Sequence, residues 1–151
     1  MKHAVLVLAC VAGFARGEEA VGTSPVPPEM ARVEGGEYLP MFGDRDQPRQ
    51  VDPFLHDRRP VTNAEYLRFV RDHPKWRRSR VSRLLAAENY LAHWTGDLEP
   101  GPGAPADAPV VNVSWFAARA FLKARGKRLP TEDEWEFAAR ADADRADATR
   151  D

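Results

Sequence analysis

Chemistry in this chain would have to come from its histidines, its single cysteine or its clustered acids. His56, His73 and His93 are separated by distances that match neither a helical ligand pair nor a short metal loop. An iron site built on two histidines and one carboxylate needs a histidine with an acid two residues on, and a distant second histidine. His56 has Asp57 adjacent and Arg58 at two, so that pattern is not met. Each of the three reads as a surface or hydrogen-bonded structural residue, and His93, beside Trp94, is the one placed for a groove role. Glu132, Asp133, Glu134 and Glu136 could be read as paired carboxylates. The first three, however, fall where a helix N-terminus attracts negative charge, which accounts for them without catalysis. Lys127 and Arg128 are candidates for ion pairs inside the fold, with Glu132 or Glu136 as partners. Lys75, Arg77, Arg78, Arg80 and Arg83 cluster around Trp76. Such a run is either a solvated helix face or a surface for an acidic glycan, a phosphate or a partner. No Gly-x-Ser-x-Gly elbow, phosphate loop or dinucleotide fingerprint occurs. The pattern therefore assigns no residue a catalytic, cofactor-binding or metal-ligating role.

The one cysteine, Cys10, lies in an apolar run from Ala4 to Ala15 that follows the positive Met1-Lys2-His3. Small residues at Ala15 and Gly17 suit a cleavage site before Glu18, so residues 1–17 read as a secretory signal peptide too short to cross a membrane as a stable helix. A buried N-terminal element is the alternative, and a lipoprotein reading on Val7-Leu8-Ala9 before Cys10 is weaker because Leu8 is bulky and the run continues. Cleavage takes basic residues from 22 to 20 against 23 acidic ones, a charge of about −3. It also removes the only thiol, leaving no disulfide and no thiolate ligand in the exported part. With 43% hydrophobic and 30% charged residues and a net charge of −1, the chain reads as one globular domain with no field directed at nucleic acid.

The elements that would position these groups are marked by caps and breakers. Residues 18–28 are polar and proline-rich, a linker. Met30, Val33, Tyr38 and Met41 flank Gly35-Gly36 and predict two short strands joined by a tight turn. Val51, Phe54 and Leu55 predict a strand interrupted by Pro53, hence an edge or a bulge. Thr62 and Glu65 form a capping box before a helix whose apolar face is Tyr66, Phe69 and Val70. Val81, Leu84, Leu85 and Glu88 suggest a further helix with both leucines inward, and Tyr90, Leu91 and Trp94 continue into the core or line a groove. Asp97 to Pro109, which contains four prolines and two glycines, is a surface crossover. Val110 to Val113 is β-prone, which makes the acceptor triplet Asn112-Val113-Ser114 a buried coincidence. Ser114 caps a helix whose apolar stripe is Phe116, Ala117, Ala120, Phe121 and Ala124, with Ala118, Arg119 and Lys123 on the wet face. Gly126 stops it, Pro130 forces an extended approach, and Thr131 with Glu134 caps the last helix. Trp115 and Trp135, near their helix starts, are expected to pack in the core.

Three stretches carry a resemblance. Gly126-Lys127-Arg128-Leu129-Pro130-Thr131-Glu132, continuing through Glu134-Trp135-Glu136 to Ala138-Ala139-Arg140, resembles the hallmark of the formylglycine-generating enzyme family, the sulfatase-modifying factors. Pro60-Val61-Thr62-Asn63-Ala64-Glu65-Tyr66 and Pro109-Val110-Val111-Asn112-Val113-Ser114-Trp115 are similar to two further family segments, in the right order. The resemblance implies an α+β, C-type-lectin-like fold, here incomplete, with short strands and about three capped helices. It places residues 29–141 as the N-terminal part of the domain and 142–151 as a polar tail or truncated continuation. Members use a copper-bound cysteine pair and oxygen to convert a sulfatase cysteine to formylglycine, and relatives without the cysteines serve other oxidative roles. Copper or iron and calcium would be bound mainly beyond Asp151. Where many members carry a glutamate, in some a calcium ligand, this chain has Pro60.

The expectation is thus an exported family member, periplasmic or extracellular. It would be the N-terminal part of an oxidative or protein-modifying enzyme whose catalytic half is not in this sequence. The alternatives are a noncatalytic lectin-like binding or accessory module, or a nonfunctional gene fragment. A protein or peptide substrate and a partner chain completing the fold are the partners this implies, with no nucleic acid and no transmembrane segment.

Overall fold

The computed structural model describes the strand residues Val11–Ala12 and residues 25–41 and 46–140. The tail at 142–151, the cleavage site and most of the leader and linker lie outside the described residues. Among the described residues no helix is long and apolar enough to cross a membrane.

The fold is small and α+β. Its strands are β1 (Val11–Ala12), β2 (Met30–Val33), β3 (Gly36–Tyr38), β4 (Arg49–Val51) and β5 (Phe54–Asp57). Its α-helices are α1 (Asn63–Asp72), α2 (Trp115–Ala124) and α3 (Glu132–Ala139). All pairing is antiparallel. One sheet has the order β1-β5-β2, with Val33 opposite Phe54 and Val11 opposite His56, and the other pairs β3 with β4.

The expected tight turn at Gly35-Gly36 therefore does not pair its two strands with each other. It sends the chain from one sheet to the other. Both glycines hold positive φ, 71° and 138°, and a Cβ on Gly35 would come within 2.3 Å of the Val51 carbonyl oxygen. Only glycine fits that crossing. The break at Pro53 likewise separates β4 from β5, and β5 is the central strand of its sheet and not an edge.

The larger core gathers Tyr66, Phe69 and Val70 of α1, Phe121 and Leu122 of α2, and Trp76, Tyr90, Leu91 and Trp94 of the intervening segment. Tyr90 donates its hydroxyl to the Trp76 carbonyl at 2.8 Å, which leaves Tyr66 to donate to Tyr90 at 2.9 Å. Burial pushes the Tyr90 phenol up to about 12 and the Tyr66 phenol well up too, so both stay neutral donors. The smaller core holds Tyr38, Val51, Phe54 and Phe137 beneath α3.

The helix expected over 81–88 does not form. Ser82 takes the chain into turns instead: its hydroxyl accepts from the Leu84 amide, and its carbonyl accepts from Leu85 and Ala86. Leu84 is 90% exposed, not inward. The basic run is partly consumed as structure, because Arg77 donates to the Val70 and Arg71 carbonyls at the end of α1 and Arg78 donates to the Trp94 carbonyl.

The β-prone run at 110–113 is also not a strand. Asn112 is exposed at φ 54°, with its carbonyl bonded to the Leu91 amide, so the acceptor triplet is at the surface and not buried. The loop from Asp97 to Pro109 is more than a crossover. Its Ala106 and Ala108 carbonyls accept the Ala64 and Asn63 amides of α1, and the buried Asn63 side chain donates to the Pro105 and Ala108 carbonyls. Trp94 Nε1 completes that side chain by donating to Asn63 Oδ1 at 3.1 Å.

Candidate functional site

The stretch from α2 to α3 builds a cleft in which cations and an exposed aromatic converge. Ser114 caps α2 through the Ala117 amide, as its type predicts. At the other end Gly126 sits at φ 68°, its amide donating to the Lys123 carbonyl while Lys127 donates to the Leu122 carbonyl. That pair of bonds is a Schellman stop, which reverses the chain. Lys127, Arg128, Leu129 and Pro130 then form one wall of a cleft whose other wall is Trp115, Arg119 and Lys123 of α2.

Packing rotates α2 away from the expected stripe. Ala118 and Leu122 are buried along with Ala117 and Phe121, whereas Trp115 and Phe116 are 52% and 46% exposed. Trp115 is therefore not a core residue, and neither is Trp135 at 51% exposure. Arg119 holds its guanidinium 5.4 Å from the Trp115 ring centre, a cation–π arrangement. Trp115, Arg119 and Lys123 each follow the last by four residues, so their side chains share one face.

The ion pairs take partners other than those expected. Lys127 Nζ lies 2.6 Å from Asp57 Oδ1, with side chains only 12% and 14% exposed. Arg128 grips Glu134 through both terminal guanidinium nitrogens, at 2.6 and 2.5 Å. That fork holds the Glu134 carboxyl below the usual carboxylate range, and the same carboxylate closes the Thr131 capping box. Glu132 and Glu136 are not involved: Glu136 is buried and accepts the Met41 amide at 2.8 Å. Asp133 receives the Tyr38 hydroxyl and Arg49, both at 2.7 Å. The acidic cluster is thus spent on capping α3 and tying it to β3 and β4.

A second, polar pocket lies behind Lys127, lined by Asp57, Pro60, Glu65 and Arg125 among others. Asp57 is paired with Lys127 and Glu65 with Arg125 at 3.5 Å, while Pro60 offers no side-chain donor. Among the described residues Glu29 is the one remaining carboxylate on the lining, and with three basic side chains beside it the residues do not gather the oxygen set that calcium needs. Nor does the chain fit copper held by a cysteine pair, since Cys10 is its only thiol. Among the described residues no three His, Cys, Asp or Glu side chains converge.

The histidines are dispersed. His56 Nδ1 lies 2.8 Å from the Asp57 carbonyl, and His73 Nδ1 lies 3.0 Å from the Phe69 carbonyl with its ring stacked on Phe69. Both ring nitrogens of His93 are buried and have no hydrogen-bond partner among the described residues, and burial together with Arg78 holds its pKa below the ordinary value. His93 lines neither cleft. The Trp115–Arg119–Lys123 stripe was missed from sequence because Trp115 reads as core. Its i, i+4, i+8 spacing was the available signal.

Residues 17–149 match the sulfatase-modifying factor enzyme 1-like domain. Among similar proteins is a Chlamydia caviae protein named serine/threonine-protein kinase pkn1, 34% identical over 81% of this chain but only 21% of its own length. The inactive C-alpha-formylglycine-generating enzyme 2 of Mus musculus is 34% identical over 75% of this chain and 47% of that protein. The formylglycine-generating enzyme of Streptomyces coelicolor is 36% identical over 74% of this chain and 46% of that protein. The chain thus spans half or less of the length of these relatives. Three motifs in order, a matched domain over most of the chain and these identities together place it in the sulfatase-modifying factor family, to which the formylglycine-generating enzymes belong.

Proposed function

We propose that this chain is an exported member of the family and forms the N-terminal scaffold of an oxidative or protein-modifying enzyme whose catalytic groups lie outside it. In this reading the scaffold is part of a C-type-lectin-like fold. The observation that carries the proposal is the exposure of Phe116 and Trp135 on a chain that spans about half the length of the relatives it matches. Aromatic rings left half in water are surfaces that a further segment, in the same chain or in a partner, would cover. The absence of a thiol after Cys10 supports the same reading, because copper chemistry on a cysteine pair has no donors here. Export rests on the leader pattern of residues 1–17. Cleavage after Gly17 would remove β1 and open the Leu55–His56 edge of β5.

A noncatalytic binding or accessory module is the second reading, favoured by the likeness to a relative named as inactive and by the basic cleft. Purified protein decides between them. The chain alone is expected to give no turnover of a cysteine-containing sulfatase peptide. The chain joined to whatever its reading frame encodes after Asp151 is expected to convert it, or to oxidise another substrate. Turnover by the chain alone would overturn the scaffold reading, and a stop codon directly after Asp151 would favour the module. A sharp thermal transition with a resolved near-ultraviolet spectrum for residues 18–151 would show that no covering segment is needed.

A further inference from the structure

We propose that the Trp115–Arg119–Lys123 face of α2 is a docking site for an extended acidic peptide segment of a partner protein. The proposal is independent of whether the family member is catalytic, since it concerns binding alone. The cleft is lined by Trp115, Arg119, Lys123, Lys127, Arg128, Leu129 and Pro130, with no carboxylate among them. Lys127 and Arg128 are committed to Asp57 and Glu134. Arg119 and Lys123 are exposed and make no ion pair or hydrogen bond among the described residues, and the Arg119 guanidinium lies over the Trp115 ring. Two uncommitted cations beside two committed ones, on a chain of net charge −1, form a local field opposite in sign to the whole.

Spacing selects the form of the anion. Residues four apart on a helix are displaced by about 6 Å along its axis. Alternate residues of an extended chain are displaced by about 6.6 Å and point the same way. A peptide lying along α2 can thus set successive alternate carboxylates against Arg119 and Lys123. A single compact oxyanion would have to bridge both. Trp115 at one end, with Leu129 and Pro130 on the opposite wall, gives the peptide's apolar atoms a surface that a purely charged ligand would not use. The occupant that matches charge, pitch and apolar wall together is an acidic strand of protein.

The test uses the full 151-residue chain and a fluorescent eight-residue peptide alternating Glu and Thr, with a Gln-for-Glu peptide as control. Anisotropy should show binding of the Glu peptide that weakens with added salt and little binding of the Gln peptide. Charge reversal in R119E/K123E should weaken it at least about tenfold. W115A should weaken it less, and Arg80→Glu, in the other basic run, should leave it unchanged. Thermal melts confirm that each variant folds, and R119Q/K123Q provides a gentler pair if the reversal does not. The idea is overturned if the Glu peptide does not bind, if the Gln peptide binds equally, or if R119E/K123E binds as the parent does. It is overturned equally if a heparin fragment binds through Arg119 and Lys123 while the peptide cannot displace it.

Discussion

Among the described residues, fifteen buried side chains from α1, α2, the segment between them and Val61 interlock around Tyr66 and Phe121, whereas α3 meets β3, β4 and β5 in a cluster of four. The larger region is held by apolar area and stacked or edge-on rings, such as Tyr66 against Phe121 and Phe69 against Phe121. The smaller is held by polar ties: Tyr38 and Arg49 to Asp133, Arg128 to Glu134, the Met41 amide to Glu136, and Arg140 over the Phe137 ring. Area-driven packing holds no group that titrates, while ties to carboxylates do. The family's hallmark stretch lies in the second region. It positions a helix more by charge and hydrogen bonding than by bulk.

Truncation in the two cores gives the largest expected difference. Phe121→Ala should destabilise by about 3–5 kcal/mol, the usual cost of emptying a close-packed aromatic site. Phe137→Ala should cost clearly less, because its site is shallower and Tyr38 can collapse onto it. Equal losses in denaturant titrations would mean that the two cores unfold as one. Two of the positive-φ glycines, Gly126 and Gly35, give the next contrast. A Cβ at Gly126 meets nothing within 4 Å, so Gly126→Ala should cost only its left-handed backbone, about 1 kcal/mol. Gly35→Ala meets the Val51 backbone at 2.3 Å and must displace a strand, so its loss of melting temperature should be several times larger.

The smallest effect concerns acid. Hydrogen bonds from Arg49 and then Tyr38 hold the Asp133 carboxyl below the usual range, and Arg128 does the same for Glu134. In the unfolded chain both titrate near about 4. Because the folded values are depressed, the stabilisation is complete above the unfolded value and is lost as pH falls through the folded ones. The α3 region should therefore loosen below about pH 4 while the larger core holds. Melts followed by Tyr38 and Tyr66 ring resonances can separate the two, and Asp133→Asn should flatten the acid limb. Equal acid sensitivity at both rings would erase the distinction.

What the sequence made legible was local. The Thr62–Glu65 and Thr131–Glu134 capping boxes, the Ser114 cap and the Gly126 stop all form as their residue types dictate. These depend on neighbours three or four residues away, which a sequence displays. The rotation of α2, the separation of β2 from β3 and the exposure of Trp115 and Trp135 depend on what packs opposite, and no short window contains that. The turns at Ser82 show a local competitor, a hydroxyl accepting nearby amides, defeating an apolar pattern that pointed to helix. The ion pairs show the same limit. Lys127 finds Asp57 across 70 residues, while Glu132 and Glu136, nearer in sequence, are not its partners.

The grip of the loop on α1 has one more consequence. Helices commonly fray from their first turn, because the amides there have no carbonyl of their own. In α1 those amides are taken: Asn63 and Ala64 by Ala108 and Ala106, Glu65 by the Thr62 hydroxyl, Tyr66 by the Thr62 carbonyl. The start of α1 cannot loosen unless a loop some forty residues further along lets go with it. Segments far apart in the chain thereby open as a single cooperative unit, and the helix loses the free end from which unravelling would begin.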